Sequence, residues 1–503
     1  MALSIATDYG MGQPAMFAMQ SCVLTMRLGD KLGWSREALR AAYYQALLRY
    51  IGCNAETRLL AAVFGDELAF RTEGIHADSA GQEMLSLVMR FIRQANAGAS
   101  PLQMVQAMIG GPVSSGRFIP EFFKGHCEVA QRLAERLGFE QPIVDAIRQV
   151  YARWDGKGTP ALKGEAIAPG MLLVSLAQDA IYAFRLGGVD EAIGLAKKRR
   201  STLYAPKDVD IFCQHAPTLL SDLEPEPSWN AILHMEPHPR RELTEAEFDT
   251  ACEALADFAD IKSPYTLGHS PGVARVAGAA AQAFGLPETD RVSLRRAGML
   301  HDLGRVGVSA GIWTKPGPLT EREWEQVRLH PYYTGRILAR PDVLASLGMV
   351  AALHHERLDG SGYPQQATAP TLSPAARLLA AADAYHALTE PRPHRPAQDF
   401  ESAAKTLQAE ARAGRLDSDA VHGVLSTVEG TRPVRKEGVA GLSEREIEVL
   451  RLVARGLTIK QIGQELVIAP KTADNHIQHI YAKIGVSTRA GATLFAVEQN
   501  LLL

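Results

Sequence analysis

One property limits this chain more than any other: it contains the same pattern twice. RWDGKGTP, Arg153 to Pro160, returns as RLDGSGYP, Arg357 to Pro364, at an offset of 204 residues. That offset also carries His126 onto His330 and Asp179 onto Asp383. Upstream, LLRYIGC at 47–53 matches MLHDLGR at 299–305, and Gly33 falls on Gly285, both at an offset of 252. The offsets differ by 48, which places an insertion in the first copy between Cys53 and His126. A chain of 503 residues exceeds what one hydrophobic core serves, so two domains of one ancestry, followed by a smaller third, are the simplest account.

Stretches such as EVAQRLAERLGF and VARVAGAAAQAFGL carry apolar residues at three- and four-residue spacing, while alternating strand patterns are scarce. The expected fold class is therefore all-α. Prolines and acids crowd together near 214–243, and a second break falls near 431–440. The expected organisation is a degenerate first copy at 1–213, a linker at 214–243, the second copy at 244–430, a linker at 431–440 and a C-terminal module at 441–503. The net charge of -3 gives no general pull toward nucleic acid or anionic membrane, so a DNA-binding surface has to be local. No leader pattern and no apolar run near membrane-spanning length stands out, which makes a cytoplasmic location without a membrane partner the expectation. The five cysteines are scattered without CxxC pairing and read as reduced thiols.

The second copy holds His269, His301, Asp302, His330, His354, His355 and Asp383. Imidazole nitrogen with carboxylate oxygen suits Fe, Mn, Zn or Co, whereas calcium takes oxygens alone. Seven candidate ligands exceed the needs of one ion and suggest two, held roughly 3.5–4 Å apart. Asp302, beside a histidine within an apolar helix, is the natural bridge between them, because burying it alone would be costly. The first copy is an internal control. At the equivalent positions it has Phe17, Arg49, Tyr50, His126, Val150, Tyr151 and Asp179. A domain of this kind thus stands without five of the seven groups. Their joint presence in the second copy points to chemistry, and His126 and Asp179 read as satisfied structural residues. The first copy is then a packing domain or, with its insertion closing over a vacated pocket, a small-ligand sensor.

In this order, H, HD, H, HH and D resemble the HD superfamily of metal-dependent phosphohydrolases. The longer text HDLGRVGVSAGIWTKPGPLTEREWEQVRLHPYYTGRIL, HHERLDGSGYP and ARLLAAADAYHALTEPRPHRPA is similar to the HD-GYP subfamily. The resemblance implies hydrolysis of a cyclic dinucleotide such as cyclic di-GMP on a metal cluster, with all seven residues as ligands. It also implies that Gly362, Tyr363 and Pro364 shape a loop beside the substrate. Asp302 and Arg305 would carry the catalysis, the latter by holding the non-bridging phosphate oxygens. Arg305 stands where the family pattern HDxGK has lysine, and guanidinium keeps the charge in a larger, planar form. Tyr265 stands where three-metal members carry glutamate, so two divalent ions, Fe or Mn, are expected. A metal- or nucleotide-binding domain without turnover is the alternative.

From Leu442 the chain reads LSEREIEVLRLVARGLTIKQIGQELVIAPKTADNHIQHIYAKIGVSTRAGATLFAVEQNLL. Ser443 and Glu446 form a capping box, and Pro470 opens a third helix. There Ala473, Ile477, Ile480 and Ile484 face inward, opposite a polar face. The whole resembles the LuxR-type helix-turn-helix, a four-helix module, with Ala473 where a valine is usual. By that resemblance Lys471, Thr472, Asn475 and His476 meet bases or phosphates of double-stranded DNA, and Lys460, Lys483 and Arg489 meet the backbone. Paired half-sites imply a homodimer. The expectation for the whole chain is a DNA-binding regulator with a metal-dependent phosphodiesterase domain. The alternative is a ligand-responsive transcription factor in which that domain is catalytically silent.

Overall fold

The computed structural model describes residues 1–78, 82–96, 118–221, 223, 229–429 and 439–502, without the side chains of 118–121. Among them there is no β-strand, only isolated bridges, and the chain forms two compact units, Met1–Thr244 and Glu245–Leu503.

The repeat is visible in the backbone of each unit. The helix Phe17–Lys31 and the helix His269–Ala283 begin at equivalent residues, each after a left-handed cap, Met16 at φ 71° and Gly268 at φ 79°. In one, the Asp8 carboxylate accepts from the Ala18 amide at 3.1 Å; in the other, Asp260 accepts from Ser270 at 2.8 Å. Gly52 and Gly304 let the helix that carries His126 or His330 approach so closely that a Cβ would collide with the carbonyl of that histidine. The duplicated turn folds alike in both. The amide of Thr159 donates to the Tyr151 carbonyl at 3.0 Å, as that of Tyr363 does to His355 at 3.2 Å. Asp155 and Asp359 each accept from the amide two residues on at 3.0 Å.

In the first unit the described part of the insertion forms three helices, Thr57–Phe64, Glu67–Gly74 and Gln82–Ala95, with Leu60, Phe64, Leu87 and Phe91 in a small core of their own. The helix Pro169–Arg199 is long and apolar enough to cross a membrane by composition, but it breaks at Gly187 and Gly188, and Met171 to Ile181 are spent largely on this unit's core. Within the stretch read as a linker, Pro206–Ser221 is helical despite Pro217, and Trp229–Met235 packs so that the Ile232 carbonyl accepts from Tyr43. Most of the second break, 430–438, lies outside the described residues.

In the second unit, His269–Ala283, Pro374–Thr389 and Ser418–Val428 share a core of Val273, Ala277, Leu378, Ala381 and Val424. The C-terminal module consists of four helices, Glu444–Ala454, Ile459–Glu465, Pro470–Ile484 and Arg489–Glu498. Ser443 and Glu446 make the expected capping box, and Thr458 and Gln461 make another.

Candidate metal centre

The first histidine opens a helix, His301 and Asp302 close one, His330 opens another, and His354 and His355 follow the end of Asp342–Ala351. Asp383 comes from the middle of Pro374–Thr389. Helix ends free the backbone to turn these side chains to one point, and all seven meet there, His355 being the only one not buried.

Asp302 lies between two groups. Its Oδ2 is 3.4 Å from His269 Nε2 and 3.2 Å from His301 Nε2, and Asp383 Oδ1 is 3.2 Å from His269 Nε2. Its Oδ1 is 3.4 Å from His330 Nε2 and 3.5 Å from His354 Nε2. His355 gathers with His330 and His354 within metal-ligating reach. Each inward nitrogen is set by what its partner nitrogen does. Nδ1 of His301, His330 and His354 lies 2.7, 2.6 and 2.7 Å from the carbonyl three residues earlier. Donation there leaves Nε2 with a lone pair facing inward. Both oxygens of Asp302 and His301 Nε2 are buried without a hydrogen-bond partner. Such orphaned donor atoms, imidazole mixed with carboxylate, fit a pair of divalent cations. Although burial opposes ionisation, Arg305 and His301 hold the Asp302 carboxyl well below the usual carboxylate range.

Arg305 is buried, with Nε 3.0 Å from Asp302 Oδ2 and its guanidinium 4.9 Å from the Trp313 ring centroid. Its Nη1 has no partner. The GYP loop reaches the same point. The Tyr363 ring stands 4.8 Å from that of His355, and Gly362 admits no side chain, since a Cβ there would sit 2.5 Å from the amide of Arg357. Buried Glu356 pins the loop by accepting from Gln365 and Ala367.

Sequence reading missed Glu390, His386 and Arg392. His269 Nδ1 lies 2.8 Å from Glu390, which is also held by His386 at 3.1 Å and Arg392 at 2.9 Å. The signal was available: His386 and Glu390 follow Asp383 by three and seven residues, on one helical face. A carboxylate on the outer nitrogen of a ligand histidine fixes its orientation. Glu390→Ala is therefore expected to weaken metal binding about 10–100-fold, measured by competition with a chelator.

In the C-terminal module Ala473, Ile477, Ile480 and Ile484 are buried, and Lys471, Thr472, Asn475 and Lys460 are exposed, with His476 partly so. Lys483 is engaged within the module, 2.7 Å from the capping-box Glu446 and 3.0 Å from the Gly441 carbonyl. Arg489 likewise donates to the Val453 carbonyl. Lys483→Met is expected to lower the melting temperature and leave the salt dependence of DNA binding nearly unchanged, whereas Lys471→Ala reduces that slope by about 1.

Residues 253–420 match the family described as HD domain, and 440–496 match bacterial regulatory proteins, luxR family. The chain is 28% identical over 413 residues to 3'3'-cGAMP-specific phosphodiesterase 3 of Vibrio cholerae serotype O1, covering 81% of this chain and 89% of that protein. That alignment is longer than the second unit, so it runs into the first. Shorter similarities join the chain to 3'3'-cGAMP-specific phosphodiesterase 1 of the same organism, 34% identical over 33% of this chain and 38% of that one. A cyclic di-GMP phosphodiesterase response regulator, RpfG of Xanthomonas campestris pv. campestris, is 35% identical over 29% and 38%. A crystal structure of a cyclic GMP-AMP specific phosphodiesterase of V. cholerae, V-cGAP3, is 25% identical with a TM-score of 0.57, covering 86% of this chain and 97% of that one.

Proposed function

We propose that this chain, which carries an HD domain and a luxR-family module, is a cytoplasmic DNA-binding regulator whose HD domain hydrolyses a cyclic dinucleotide, with 3'3'-cyclic GMP-AMP the favoured substrate. One observation carries the hydrolytic reading: Asp302 presents each oxygen to a separate set of inward histidine nitrogens. The substrate follows from the extent of likeness, since the relative that matches across both units is specific for 3'3'-cGAMP and the cyclic di-GMP enzyme matches only a part.

Two divalent ions, Fe or Mn, bound there would supply Lewis acidity to a water and to the phosphate. His269, His301, Asp302 and Asp383 would hold one, and His330, His354 and His355 the other, with Asp302 shared. The chain's own residues do the rest. Arg305 offers its free Nη1 to the non-bridging phosphate oxygens. The Tyr363 ring covers His355 and narrows the approach. The backbone carbonyls beneath the histidines hold their tautomers before substrate arrives.

The segment entering the site also supports a link to DNA binding. Leu267, two residues before His269, packs against the core of the C-terminal module. Occupancy of the site and presentation of the recognition helix in a homodimer on double-stranded DNA thereby share a contact.

The test is to load the purified chain with Mn or Fe, measure bound metal, and assay 3'3'-cyclic GMP-AMP, cyclic di-GMP and a linear phosphodiester. Two ions per chain and fastest turnover of 3'3'-cyclic GMP-AMP are expected. Absence of both metal and turnover would sink the reading. The rival, a silent nucleotide- or metal-binding domain, draws on Arg305 lying against Asp302 where the family has lysine, and it requires bound metal without turnover.

A further inference from the structure

The positions that hold metal ligands in the second unit line a cavity in the first. Arg49, Tyr50, His126, Val150, Tyr151 and Asp179 stand at the equivalents of His301, Asp302, His330, His354, His355 and Asp383, and all six border a cavity of about 140 Å³. The inserted helices close it from another side with Leu60, Phe64 and Phe70.

Its charges do not cancel. Asp179 is taken by Arg199 at 2.6 Å, and Arg153 by Asp78 and Asp155. Arg71 is buried, yet it donates only to neutral oxygens, the carbonyls of Gly10 and Cys53 and the hydroxyl of Thr57. Arg49 has Nε and Nη1 shut away from solvent with no hydrogen-bond partner, and its guanidinium lies 5.2 Å from the Tyr50 ring centroid. Burial first, then the charge of Arg71, holds His126 well below the ordinary histidine range, so it adds no charge of its own. Among the described residues these two guanidinium groups are left without an anion, which is costly for charge with buried nitrogens.

Much of the remaining wall is aromatic. Phe123 stacks on Tyr151 with ring centroids 4.0 Å apart, and Phe122 meets His126 at 3.9 Å. Elsewhere an engineered apolar cavity of about 150 Å³ takes one benzene ring. A cyclic dinucleotide, with two bases, two sugars and two phosphates, is far too large. A single ring bearing a carboxylate is the right size, and a planar carboxylate pairs with guanidinium through two parallel hydrogen bonds.

We propose that the first unit is a receptor for a one-ring aromatic carboxylate, its ring among Phe122, Phe123 and Tyr151 and its carboxylate on Arg49. The site stands apart from whatever the second unit hydrolyses. Calorimetric titration of the full chain with benzoate and 4-hydroxybenzoate tests it. Saturable binding at one per chain is expected. Arg49→Met should weaken it about tenfold or more without lowering the melting temperature, because Arg49 has no hydrogen bond to lose. Val150→Phe, which fills the cavity and removes no charge, should abolish binding. No binding by either carboxylate, binding indifferent to both substitutions, or tighter binding of AMP, GMP or inorganic phosphate overturns the proposal.

Discussion

Asp302→Ala is expected to bring phosphodiester hydrolysis below detection, a loss beyond about 10³-fold, and to strip the purified protein of metal. The magnitude follows from position. Disturbing a group outside the ligand shell already costs about 10–100-fold in metal affinity or activity, and Asp302 faces both ligand sets at 3.2 to 3.5 Å. The substitution also removes the carboxylate against which Arg305 rests. Its counterpart measurement is promoter binding by the same protein: the DNA-facing residues lie in a module with its own core, so binding is expected to persist, and a shift in affinity beyond about twofold reports the Leu267 contact. Metal content by elemental analysis, kcat/KM and a gel-shift titration make the comparison. Turnover that survives the substitution would remove the bridge from the reaction.

A second large effect is expected where no chemistry occurs. Gly304→Ala pushes a Cβ into the carbonyl of His330 and to 2.5 Å from the amide of Thr334, both backbone groups that cannot step aside. Thr334 also accepts from the Gly304 amide at 2.9 Å and donates to the His301 carbonyl at 2.8 Å, so any shift reaches a ligand. A loss of about 3 kcal/mol or more in the stability of the second unit follows, together with metal binding. Gly52→Ala meets the His126 carbonyl in the same way in the first unit. It is expected to destabilise that unit comparably while leaving metal content intact. Calorimetric melting of the two variants beside their metal content separates packing from chemistry.

The convergence of the seven histidine and aspartate side chains was legible because such residues are costly to bury alone, and the first copy showed the same frame without five of them. The all-helical fold and the inward faces of the C-terminal module were legible from spacing. What escaped depends on contacts across distance. The spacing of Glu390 from Asp383 places it on the site's side of its helix, but its partner His269 lies 121 residues away and only the fold pairs them. The polar face holding Lys483 shows that it is exposed on one side, but only the fold shows Glu446 reaching it. The prolines near 214–243 signalled interruption, yet Pro217 sits inside a helix whose Phe212, Ala216, Leu219 and Leu220 are buried, and that packing outweighs the lost backbone hydrogen bond. The two unneutralised arginines of the first unit likewise became visible only in the fold, where Arg71 meets carbonyls and a hydroxyl and Arg49 meets the Tyr50 ring.

The left-handed caps at Met16 and Gly268, with the aspartates that bind the next helix, bear on how such a chain changes over generations. The holder survives the loss of what it holds. The first unit keeps the caps and the turn without five of the seven groups, so the fold does not depend on them. The same independence runs backward: five replacements, at Phe17, Arg49, Tyr50, Val150 and Tyr151, would write the missing letters into a frame already set for them.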